Sequence, residues 1–178
     1  MLVKLLFYTS ILLIAIFGYR SYSVASTVLN IGDSAPDFKL NDTQGKSHAL
    51  TDYSGQYLVL YFYPKNDTPK CTEEACHFRD DIAQLEKLGA KVIGITVDSS
   101  ESNHLFSKKY SLQFPILADT DGKVADKYNA LTNLIVTKIA KRHTFLINPT
   151  GHIEKIYKSV NTSNHSQQII HDLKSLQN

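Results

Sequence analysis

Only two cysteines occur in 178 residues, too few for the disulfide framework that holds small secreted scaffolds together. None is needed, since a domain of about 150 residues buries ~70% of its unfolded surface. A surplus of charge is also missing. Nineteen Lys and Arg stand against 17 Asp and Glu, with no long basic run, which excludes the footprint of a nucleic-acid binder. There is no internal repeat and no low-complexity tract, and a 43% apolar, 20% charged composition excludes a disordered or fibrous chain. No apolar run reaches the ~20 residues that comfortably span a bilayer.

A shorter apolar run is present. Lys4 precedes the stretch 5–17, and small residues follow at Ser23-Val24-Ala25-Ser26. Residues 1–25 therefore read as a secretory signal cleaved after Ala25 or Ser26, with a short uncleaved membrane anchor as the competing reading. Both export the domain at 27–178, to the periplasm or to a membrane facing it. Cleavage removes Lys4 and Arg20 and no acid, so the formal charge moves from +2 to zero.

The remaining pattern alternates strand and helix. Tyr57–Tyr63 is a continuous apolar and aromatic run, as a strand buried on both faces requires, and Pro64 ends it. Thr68 before Pro69 is a helix start, with Thr68 at the N-cap and Pro69 at the first helical position. Cys71, Ala75, Phe78, Ile82 and Leu85 then recur at spacings of three and four, an apolar stripe that turns Cys71 inward. Further strands are expected at Val92–Val97, Phe114–Leu117, Thr144–Ile147 and Ile153–Tyr157, the last two joined by the turn Asn148-Pro-Thr-Gly151. Helices are expected at Glu101–Tyr110, at Gly122–Tyr128 and along Ile169, Ile170, Leu173 and Leu176. The class is α/β, a central mixed sheet flanked by helices.

Cys71 and Cys76 both fall on the helix that follows the first long strand. A thiol in the first helical turn faces free N–H groups and the positive end of the helix dipole, which favours the thiolate, the nucleophilic form. Five residues along an ideal helix separate Cα atoms by ~8.6 Å, beyond the ~7 Å that a disulfide tolerates. A bridge between them requires local unwinding, which suits a transient catalytic disulfide better than a permanent staple. Cys71, Cys76 and His77 match no common zinc spacing, and His48, His104, His143, His152, His165 and His171 are scattered, each expected at the surface or partly buried.

The segment from Phe62 to Asp80, with its core P-x-x-x-T-x-x-C at Pro64, Thr68 and Cys71, closely resembles the active-site segment of peroxiredoxins of the bacterioferritin-comigratory or PrxQ type. Further similarity lies at Gly32–Phe38, Phe114–Asp119 and Arg142–Ile147, so the resemblance runs from about residue 30 to the end. It implies a thioredoxin-like fold and a peroxidase of hydrogen peroxide and organic hydroperoxides, working without metal, flavin or haem. It further implies that Cys71 is the peroxidatic cysteine and Cys76 the resolving one, joined in an intramolecular disulfide that thioredoxin or a similar donor reduces.

By the same resemblance Thr68 hydrogen-bonds the Cys71 sulfur and the peroxide, its alternative being a plain N-cap. Pro64 shields the pocket. Arg142, otherwise a solvated basic edge, lies beside the thiolate and stabilises developing charge. Glu74 orients that arginine, or simply complements the helix dipole. Lys70 stands where this type carries glycine, and either assists Cys71 or points to solvent. The expected assembly is a monomer or weak dimer. The rival reading is an exported thiol-disulfide oxidoreductase or copper-delivery protein of the same fold, which would prefer a shorter cysteine spacing.

Overall fold

The computed structural model describes residues 28–134 and 136–177. The expected signal or anchor at 1–25 lies outside them. Among the described residues no helix is long and apolar enough to cross a membrane.

Five strands form the central sheet: β3 (Tyr57–Phe62), β4 (Ala90–Thr96), β5 (Ile116–Ala118), β8 (His143–Ile147) and β9 (Ile153–Tyr157). Their spatial order is β5-β4-β3-β8-β9. Pairing is parallel between β3 and β4 and between β4 and β5, and antiparallel between β3 and β8 and between β8 and β9, so the sheet is mixed as expected. Two short hairpins lie outside it, β1 (Lys39–Asn41) with β2 (Ser47–Ala49) and β6 (Leu131–Asn133) with β7 (Lys138–Ala140).

The pleat of β3 divides the core. Val59, Tyr61 and Tyr63 face a layer made by helices α1 (Pro69–Asp80), α3 (Ser100–Lys109) and α5 (His165–Leu176), through Cys71, Ala75, Phe78, Phe106, Ile169, Ile170 and Leu173. Leu58, Leu60 and Phe62 face the other way, toward Phe38, Phe145 and the short helix α4 (Lys123–Lys127) with Tyr128. Both faces being covered explains why β3 reads as an unbroken apolar run.

The apolar stripe through Leu85 does not belong to one helix. Asp81 interrupts it, and Ile82 opens a separate helix α2 (Ile82–Lys87). The Asp81 carboxylate accepts a hydrogen bond from Ser166 Oγ at 2.6 Å, which ties the break to the start of α5. Two histidines also depart from expectation, because His48 and His165 are buried. His48 sits between Tyr53 and Asp42, at 2.6 and 2.9 Å.

Candidate active site

Topology brings the site together at the carboxyl end of β3, where the chain leaves the sheet and enters α1. Phe62 pairs with His143 in the antiparallel β3–β8 register, so Arg142, one residue earlier, lies level with the end of β3. That register closes a sequence gap of 71 residues: Arg142 Nη2 donates to Cys71 Sγ at 3.2 Å. Arg142 Nη1 donates to Glu74 Oε2 in a short ion pair. Cys71 and Glu74 are three residues apart on α1, neighbours on one helical face, and a single guanidinium fork serves both.

Burial sets the electrostatics. Cys71 is 2% and Glu74 1% exposed. Removal from water pushes the Glu74 carboxyl up to about 7, against the opposing pull of Arg142. Burial also works against the guanidinium charge, but Glu74 and the Cys71 sulfur outweigh it and raise Arg142 above its ordinary value. An always-charged donor is thus held on the sulfur through its ion pair with Glu74. Glu74 Oε1 is buried with no hydrogen-bond partner, so the carboxylate is committed to Arg142 through one oxygen.

The loop before α1 is fixed by buried polar contacts. Tyr63 Oη donates to Asn66 Oδ1 at 2.8 Å, and Asn66 Nδ2 donates to Asn103 Oδ1 and Ser102 Oγ at 2.8 and 2.9 Å. The Asn66 backbone N–H donates to Asp98 Oδ2 at 2.7 Å. Asp67 adopts a left-handed φ of 57°, a conformation Asp tolerates better than most residues, and Lys109 Nζ pairs with its carboxylate at 2.7 Å.

Thr68 occupies the N-cap position with extended backbone and Pro69 follows at the helix start, as expected. Its hydroxyl does not cap a helix N–H. It donates to the Lys65 carbonyl at 3.0 Å, so its oxygen keeps lone pairs that can accept. Pro64 is half-buried directly after β3. Lys70 is turned away from Cys71, with Nζ 3.0 Å from Glu73 Oε2 on the exposed face of the helix. Glu73 also accepts a short hydrogen bond from the buried Thr162, just before α5.

Cys76 is half-buried one and a half turns beyond Cys71, and both are free thiols on an intact helix. Beneath α1, Phe78 packs edge-on to His165, with ring centroids 5.7 Å apart. His165 is fully buried with Nε2 2.9 Å from Thr144 Oγ1, and burial lowers its pKa to about 4. Asn66, Thr162 and His165 were not legible as contributors, because polar residues in loops and at a helix start look solvated in sequence. Among the described residues, no group of three or more His, Cys, Asp or Glu is arranged to hold a metal ion.

The pattern of the AhpC/TSA family matches residues 31–156. Peroxiredoxin Bcp of Bacillus subtilis is 37% identical over 158 residues, spanning 83% of this chain and 97% of its own. The chloroplastic peroxiredoxin Q of Sedum lineare is 38% identical over 128 residues, 72% of this chain and 68% of its own. Among solved structures, peroxidoxin BcpB of Mycobacterium tuberculosis superposes with a TM-score of 0.79 at 29% identity, covering 83% of this chain and 98% of that one. A PrxQ of Xylella fastidiosa gives 0.79 at 30% identity, covering 84% and 98%. None of these relatives is a copper-delivery or thiol-disulfide exchange protein. The fold is thioredoxin-like, and the chain belongs to the AhpC/TSA family as a thiol peroxidase of the Bcp/PrxQ peroxiredoxins.

Proposed function

We propose that the protein reduces hydrogen peroxide and organic hydroperoxides at Cys71, with Cys76 as the resolving thiol and a thioredoxin-type donor as reductant. The observation that carries the assignment of Cys71 is the charge-assisted bond from Arg142 to its buried sulfur. A guanidinium in low dielectric stabilises a thiolate and the negative charge that develops on the departing oxygen. The Cys71 sulfur attacks the nearer peroxide oxygen, the O–O bond breaks, and water or an alcohol leaves once the departing oxygen gains a proton. Thr68 offers an acceptor for the peroxide proton, Pro64 limits water access, and Glu74 holds the guanidinium in register.

Cys76 then attacks the sulfenic acid on Cys71, forming the S–S bond with loss of water. The two thiols cannot meet on an intact helix, so the first turn of α1 must open. That turn is held by bonds such as Thr72 N–H to the Thr68 carbonyl at 2.9 Å. Two or three such bonds at ~1 kcal/mol each are a small barrier at a helix end. Export is part of the proposal, through a signal cleaved after Ala25 or Ser26 or, in the competing reading, a membrane tether at residues 5–17, and is supported by the apolar run and the small residues after it.

Rapid mixing of reduced protein with hydroperoxide tests the reading. Wild type consumes one equivalent in a fast phase, whereas Cys71→Ser consumes none. Full peroxide consumption by Cys71→Ser would end the proposal.

A further inference from the structure

One peptide unit in the loop before α1 is held at both ends. Its carbonyl belongs to Lys65 and accepts from Thr68 Oγ1 at 3.0 Å, while its N–H belongs to Asn66 and donates to Asp98 Oδ2 at 2.7 Å. Topology arranges the meeting. β3 and β4 run parallel, with Phe62 level with Ile95, so the segments that leave their carboxyl ends lie side by side. Asp98 stands there between β4 and α3, its own N–H on Thr96 Oγ1 at 3.3 Å, and the next residue, Ser99, caps α3 by accepting from the Ser102 N–H at 3.2 Å. The Asp98 side chain is 13% exposed, and its other oxygen lies 3.5 Å from the exposed Lys65 Nζ. The Asn66 side chain, bonded to Tyr63, Ser102 and Asn103, fixes the residue that carries the N–H.

We propose that Asp98 is a positioning residue for the peroxide step, acting on the Thr68 hydroxyl through the Lys65–Asn66 peptide. The proposal rests on the role given to Thr68 above. A carboxylate at the N–H end polarises the amide and makes the carbonyl at the other end a stronger acceptor, because hydrogen bonds in series reinforce one another in a low dielectric. The Thr68 proton is thereby committed to Lys65, and rotation of the hydroxyl toward the substrate or the Cys71 sulfur is disfavoured. A hydroxyl oxygen whose own proton is spent can only accept, which is what a peroxide donating its O–H requires. Dipoles fixed in advance need no reorientation as the reaction proceeds. Among the described residues Asp98 bonds to no other group of the site, so its contribution passes through Thr68.

The test is a double-mutant cycle on the rate constant for Cys71 oxidation by hydrogen peroxide, read by quenched-flow mass spectrometry of the reduced protein in wild type, Asp98→Ala, Thr68→Val and the two combined. Asp98→Ala is expected to slow this step about tenfold where Thr68 is intact, and less than about twofold in the Thr68→Val background. Asp98→Asn keeps an oxygen on the Asn66 N–H and loses the charge. About a threefold loss is expected from it, again only where the threonine is present, and it carries the test if the alanine variant folds poorly. A brace that merely holds the loop would lose the same factor in both backgrounds. That additivity, a wild-type rate in both Asp98 variants, or a Thr68→Val protein as fast as wild type would each overturn the proposal while leaving the chemistry of Cys71 intact. A wild-type protein whose Cys71 is inert to hydrogen peroxide would overturn the peroxidase reading, and this proposal with it.

Discussion

The two turns of α1 that carry the cysteines are built to opposite specifications. Cys71 is buried in its turn, and its sulfur is held by Arg142, which lies 71 residues away, directly before β8. Cys76 is half-buried, and Arg79, three residues on, is spent on Asp80 and the Tyr110 carbonyl. A site that must exclude water and bind an oxidant needs a long-range, sheet-anchored donor. A thiol that waits for its partner to swing toward it needs only a part of the helix that stays folded. The outer face of the first turn is nonetheless tethered, by Thr162 to Glu73, so opening is opposed by one short hydrogen bond besides the helical ones.

The sharpest way to break this comparison is to exchange each cysteine for serine. Cys71→Ser should abolish peroxide turnover, whereas Cys76→Ser should complete a single turnover, accumulate sulfenic acid and lose recycling, as read by peroxide consumption and mass spectrometry. Next in size is the buried donor. Arg142→Met should slow the peroxide step by ~10²–10³, the usual loss when one preorganised donor to developing charge is removed. Glu74→Ala frees that donor from its holder, and about a tenfold loss is expected, with Glu74→Gln retaining more activity because its amide oxygen still accepts from Arg142. The two variants together separate positioning from charge.

Smaller effects concern the helix and its support. Thr162→Val should release the Glu73 side of the first turn, cost ~1 kcal/mol of stability in urea unfolding, and speed disulfide formation severalfold relative to sulfenic acid formation. His165 supplies a pH signature. Its pKa of about 4 in the folded protein lies below the ordinary 6.5, so the unfolded chain binds the extra proton first. Stability from this group is complete above pH ~6.5 and falls as pH drops toward 4, by ~3 kcal/mol, and His165→Gln should flatten that part of the profile.

Much of the fold was written in local pattern, and the reasons are physical. The β3 run, the Thr68-Pro69 start of α1 and the Asn-Pro-Thr-Gly turn each carry their signal within a few residues. β1, β2, β6 and β7 span three residues each, too short for an alternation to register. The break at Asp81 was hidden because the apolar spacing continues across it, while the Ser166 contact that marks it comes from 85 residues away. At the site, helix-start chemistry pointed to Cys71 directly. Arg142, in the run Lys138-Ile-Ala-Lys141-Arg142, looked like solvated charge and was identified only through resemblance, since its role depends on the β3–β8 register.

The most direct test of the two-cysteine cycle is the covalent state of the wild-type protein after one equivalent of hydroperoxide in the absence of reductant, resolved by time-quenched peptide mapping. The expected sequence is oxygen on Cys71 alone, followed by its loss as Cys71 and Cys76 become bridged within one chain. Oxygen first appearing on Cys76, or Cys71 advancing to sulfinic acid while Cys76 remains a free thiol, would contradict it.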